Sequence, residues 1–169
     1  KYNNPFRRSM GKSTLKCSEP NSFNAKDIER YIIGFEKVTD IQIDVVFIDH
    51  LSLMPTYGGF TDQTMASKYG QTQAEEAITL AKRLDLAVWT GAQFNRGSMN
   101  GVDGDMTGIA GSIGVTHASD LVFSIHADET VGALLWKKHK CRYSDVSINN
   151  RGHIGIDRSK QRLYDYDGR

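Results

Sequence analysis

Little in the composition announces a fold or a compartment. There are two cysteines, Cys17 and Cys141, far apart and in no CxxC pair, and the five histidines are scattered. That excludes a disulfide scaffold, argues against a zinc site and makes a reducing compartment the expectation. No apolar run approaches the roughly 20 residues of a membrane span, and no leader peptide is visible. Net charge is +1, so no bulk basic surface advertises nucleic acid, and any such contact must come from local loops. Internal repeats and low-complexity linkers are missing too. Residues 1–169 therefore read as one domain, long enough for a substantial core. The chain begins with Lys1 rather than Met and reads as a piece of a longer protein.

A phosphate loop is also missing. Gly11 to Thr14 spell GKST, but Phe6 stands where the motif needs its first glycine. No buried strand precedes it, and Pro20 follows soon after, where a P-loop opens a helix. Ser13 to Cys17 fits a short strand better.

What is present is organised around Ile41 to Met54. Val45 to Ile48 is a continuous apolar, β-rich run, as in a parallel strand buried on both faces, and Asp44 to Ile48 is read as the central strand. Asp49 follows at once, which puts a carboxylate at the edge where open α/β sheets bind ligands. Such an acid holds Mg²⁺ beside phosphates in nucleotide hydrolases; otherwise it merely ends a strand in solvent.

Around this strand the pattern predicts an α/β order. Asn24 caps a helix running to Lys37, with Ile28, Tyr31, Ile32 and Phe35 on one face. Pro55 to Gln63 is a loop. A second helix, Thr64 to Leu84, buries Ala74, Ala77, Ile78, Ala81 and Leu84, and Leu86 to Ala92 is a second buried strand. Strand, helix and strand at this spacing make a βαβ unit with parallel strands. Asp49 and Gln93 then share the carboxyl edge, where Gln93 can orient a water, sense a γ-phosphate or cap loose backbone. Arg96 to Gly111 is a long Gly/Asn/Asp-rich loop. Asp120 to Ile125 is a third strand. Ala133 to Trp136 leads into a basic run, Lys137 to Arg142, read as a solvated strand end or a source of cations for a neighbour's phosphates. His153 to Asp157 and Gln161 to Tyr166 form a closing antiparallel pair.

In this order the motifs resemble those of DnaB-family replicative helicases, especially of tailed phages. Asp49 to Met54 looks like the family's Walker B strand and its trailing residues. Ala81 to Arg96 is similar to its helix, strand and Gln-x-Asn-Arg segment. Ile109 to Asp120 resembles the loop and helix before an Ala-x-Asp strand start, and Lys140 to Tyr143 the Lys-x-Arg segment. The resemblance implies a RecA-like, mostly parallel sheet flanked by helices with an antiparallel C-terminal strand pair, truncated on its N-terminal side. It implies ATP or another NTP with Mg²⁺ held by Asp49 through water. Gln93 would couple the γ-phosphate state to the DNA loop, and Arg142 with Lys140 would act on the adjacent subunit's nucleotide. Pro55 to Gln63 and Gly97 to Gly111 would meet single-stranded DNA, through Arg96, Gly97, Ser98, Asn100 and Gly101. The longer loop carries Asp103 and Asp105 but no Lys or Arg, which argues against strong phosphate contact.

The implied parent is an ATP-dependent DNA helicase. It would be homo-hexameric, with primase and a helicase loader as partners, cytoplasmic in a bacterial or phage-infected cell. The family's P-loop lysine and catalytic glutamate lie upstream of what this chain matches, so the chain alone is expected not to hydrolyse ATP. Other readings are a different RecA-like ATPase (recombinase or KaiC-like) and a non-catalytic RecA-fold binding module.

Overall fold

The computed structural model describes residues 13–57, 66–92 and 113–168. The first helix, α1 (Ala25–Thr39), starts where the sequence asks it to. The Asn24 side chain accepts the Lys26 and Asp27 backbone N–H groups, and the Asp27 carboxylate accepts the Asn24 N–H, a closed capping box. Asp40 ends the helix in the left-handed conformation, at φ 55°, and donates its N–H to the Glu36 carbonyl.

β1 (Val45–Ile48) and β2 (Ala87–Thr90) pair in parallel, in the register Val45 with Ala87 through Ile48 with Thr90. α2 (Ala66–Leu84) connects them, and it is the crossover that a parallel pair requires. Ala74 and Ala77 on α2 meet Ala25, Leu51 and Met54, with Ile28, Ile48 and Val88 packed around them. Small residues let the helix approach the sheet closely. Gln73 and Leu80 are buried alongside, at the expense of Ile78 and Ala81, which are only half-buried.

α3 (Ile113–Ala118) rests on α2 so closely that a Cβ on Gly114 would stand 2.6 Å from the Gln71 Cβ. It leads into β3 (Leu121–Asp128), β4 (Ala133–Cys141), β5 (Arg151–Asp157) and β6 (Arg162–Asp165), a four-stranded antiparallel sheet in chain order. Among the described residues no helix is long and apolar enough to cross a membrane.

The α/β character holds, with several corrections of detail. Residues 13–17 form no strand and are exposed. The antiparallel part is a full sheet rather than a closing pair, because the basic run is not a solvated end. Lys137, Lys138 and Lys140 pair with β3 across a bulge at Val122/Phe123. Their ammonium heads reach out along half-buried stems. The expected burial of β1 on both faces also fails. Val46 and Ile48 face the helices, but Val45 and Phe47 are exposed, Phe47 by 77%. With only one sheet face covered, the core is thin, and no described side chain falls below 2% exposure.

Candidate functional site

The carboxyl edge of the parallel pair is built by one side chain the sequence reading overlooked. The Thr90 hydroxyl donates to the Ile48 carbonyl at 2.9 Å and accepts the Leu51 N–H at 3.0 Å. It therefore bridges the chain on both sides of Asp49 and fixes how the backbone leaves β1. Asp49 itself is exposed, and no described residue hydrogen-bonds its carboxylate. A carboxylate so placed fits a hydrated Mg²⁺, a hard cation that keeps several waters and takes one or two protein oxygens beside phosphate. The described residues contain no group of three or more His, Cys, Asp or Glu able to cage a metal, so other ligands there would be water and phosphate oxygens. At the exit of β2, Gly91 and Ala92 are open to solvent on the same edge.

Gln93, Arg96, Gly97, Ser98, Asn100 and Gly101 lie outside the described residues, as does most of the loop from Pro55 to Gln63. The described start of that loop is held by α2. The Gln73 side-chain amide donates to the Met54 carbonyl, and the Tyr57 N–H donates to Glu76 Oε1 at 3.3 Å. Lys26 lies 3.9 Å over the Tyr57 ring. Burial pushes the Glu76 carboxyl up from its ordinary value, against the pull of the Tyr57 N–H and Lys26, and Glu76 Oε2 has no described partner. A carboxyl raised in the folded state binds more protons folded than unfolded. Its contribution to stability is present in acid and is lost as pH rises through the raised value. Glu76→Gln is expected to keep an acceptor for Tyr57, raise stability at neutral pH and flatten the fall between mildly acid and neutral pH. Urea midpoints across that range check this, and a parallel downward shift at every pH would contradict it.

Lys140 and Arg142 do come together, on the carboxyl end of α3. Lys140 Nζ donates to the Thr116 and His117 carbonyls, both at 2.8 Å. Arg142 Nη2 donates to the His117 carbonyl at 3.0 Å, Nη1 pairs with Asp120 at 3.0 Å, and the Arg142 N–H donates to the Asp120 carbonyl at 2.9 Å. The orphan carbonyls and negative pole of a helix end favour such cations. Burial lowers the Lys140 pKa, the Arg142 charge adds to that, and Asp120 opposes it. Arg142 remains 53% exposed, so its guanidinium is anchored but still faces solvent. No hydrogen bond or ion pair among the described residues joins Asp49 to either cation. Within one chain the carboxylate and the cationic pair stand on different sheets, as groups serving separate subunits would.

No family model matches the chain. A DnaB-like replicative helicase of Enterobacteria phage T4 is 29% identical over 92 residues, which is 53% of this chain and 19% of that protein. Among solved structures, an isolated ATPase domain superposes with a TM-score of 0.72 at 13% identity, over 86% of this chain and 52% of that one. A DnaB-like replicative helicase solved with regard to its interactions with primase gives 0.67 at 15% identity, over 80% of this chain and 33% of its own. The chain thus spans about a fifth of the T4 helicase and about half of the solved ATPase domain. By sequence and by fold, it is a relative of the DnaB-like replicative helicases, built as part of their RecA-like ATPase domain.

Proposed function

We propose that this chain is part of the motor of an NTP-driven replicative DNA helicase. The observation that carries the reading is the parallel β1–β2 pair, tied at its carboxyl edge by Thr90, that delivers an unbonded Asp49 to the rim. Asp49 would hold the hydrated Mg²⁺ of ATP or another NTP. Gln93, two residues past Gly91, would sense the γ-phosphate from the same rim. Arg142, with Lys140 beside it, would stabilise charge on the neighbouring subunit's phosphates in a homo-hexamer. Single-stranded DNA would run past the 55–63 loop and Arg96, Gly97, Ser98, Asn100 and Gly101, through sequence-independent backbone contacts. A primase and a helicase loader would be the protein partners, and the cytoplasm of a bacterial or phage-infected cell the setting. The chain alone is expected to show no ATP turnover.

The test uses the full-length parent helicase. Asp49→Asn should raise the Mg²⁺ concentration for half-maximal ATP turnover about tenfold or more, the scale on which metal-site oxygens act. An unchanged Mg²⁺ dependence would reject Asp49 as the ion's ligand.

A further inference from the structure

One face of the sheet is apolar and open. Phe47 and Trp89 are register partners on β1 and β2, and the Trp89 ring meets Phe123 of β3 edge to face, with centroids 5.9 Å apart. A single aromatic row thus crosses three strands. Phe47, Trp89 and Phe123 are 77%, 41% and 42% exposed, and Ile125 continues the row at 49%. The alternate residues Ile48 and Val88 pack into the helix-covered core. Alternation that is apolar on both sides belongs to a sheet meant to be covered on both sides. An exposed apolar patch of this extent marks an interaction site. Beside it, a groove of about 700 Å³ opens between α1 and β1, and among the described residues no strand pairs with the outer edge of β1.

We propose that this face docks the remaining half of a RecA-like ATPase domain, as a polypeptide that adds a strand to the free edge of β1 and lays apolar helix faces over the Phe47–Trp89–Phe123 row. The size of the occupant follows from the comparison with the solved ATPase domain: 86% of this chain accounts for 52% of that domain, so about half of its length has no counterpart here. Its chemistry follows from the surface, which offers unpaired backbone at one edge and flat apolar area beside it, and so asks for a strand together with an amphipathic helix. The inference rests on the ATPase-domain reading, and it adds that the two halves assemble through side-chain packing even when the peptide bond between them is cut.

The experiment expresses this chain together with the polypeptide encoded directly upstream of Lys1, as two separate chains. A one-to-one complex is expected. In a Trp136→Phe background, Trp89 should become shielded from acrylamide on mixing. Phe47→Glu should weaken the complex about tenfold or more, as a central aromatic anchor does. Leu163→Glu, on the far strand β6, should leave it unchanged. Because Phe47 is so exposed, its substitution should leave the far-ultraviolet circular dichroism of the lone chain intact. Absence of a complex overturns the proposal. So does a complex indifferent to Phe47→Glu, or a homodimer of this chain that shields Trp89 and persists when the upstream polypeptide is added. A Phe47-dependent complex without ATP turnover would sink the motor reading and leave the docking intact.

Discussion

Arg142→Ala in the full-length parent helicase is expected to lower ATP turnover about 10³- to 10⁵-fold, the range for removing a trans-acting arginine from a phosphoryl-transfer site. The reason is charge. A planar guanidinium can meet two phosphoryl oxygens at once, and an arginine that acts only in the transition state lowers kcat with little change in KM. Arg142→Lys should not restore the rate, because an ammonium lacks the fork. The structure supplies a competing explanation that must be separated. Arg142 also holds Asp120 and the last carbonyls of α3, so its loss could act by loosening that helix end. Asp120→Asn isolates this effect: it weakens the ion pair and leaves the guanidinium in place. Both partners are about half exposed, and a pair in that setting is worth about 0–1 kcal/mol. Asp120→Asn should therefore cost less than about tenfold. If the two variants fall equally, Arg142 is a helix-end clamp and the finger role is wrong.

How much of this was legible beforehand depends on whether the signal was local. The Asn24 cap, the α1 stripe and the β1–α2–β2 order could be read because periodicity and capping act within a few residues. The carboxyl edge could be read because parallel pairing puts both strand exits on one side. Other features depended on distant partners. Nothing near Thr90 says that its hydroxyl will serve Ile48 and Leu51, some 40 residues away in the chain; its only signal was a Thr ending an apolar strand before Gly91. Gln73 is buried by its bond to Met54, a partner 19 residues distant. The basic run read as solvated because charge usually lies outside, whereas here the Lys140 ammonium closes a helix end formed earlier in the chain. Phe47 misled in the opposite sense. Its residue type specifies a covered position, but cover must come from another element, and among the described residues none lies over it.

Thr90→Val is the second large effect expected, and it tests whether the edge geometry matters beyond the carboxylate itself. Valine keeps the shape and the β preference of threonine but loses the hydroxyl that links Ile48 to Leu51. A donor and an acceptor on the two sides of Asp49 are then left to find water. Leaving part-buried backbone groups unpaired costs about 1–3 kcal/mol, which should appear as a lower urea midpoint for this chain. In the parent helicase the larger consequence should be catalytic. A carboxylate displaced by about 1 Å from its working position can cost about a hundredfold in rate, and Thr90 is the bond that sets how the chain carrying Asp49 turns away from β1. Thr90→Ser, which keeps the hydroxyl and drops only the methyl, should recover most of the turnover even if part of the stability is lost. Because Thr90 touches the backbone and not Asp49's carboxylate, Thr90→Val should reduce kcat without shifting the Mg²⁺ requirement as strongly as Asp49→Asn does. Equal stability loss in the Val and Ser variants with equal turnover would mean that Thr90 only fills space, and that the rim holds Asp49 by some other means.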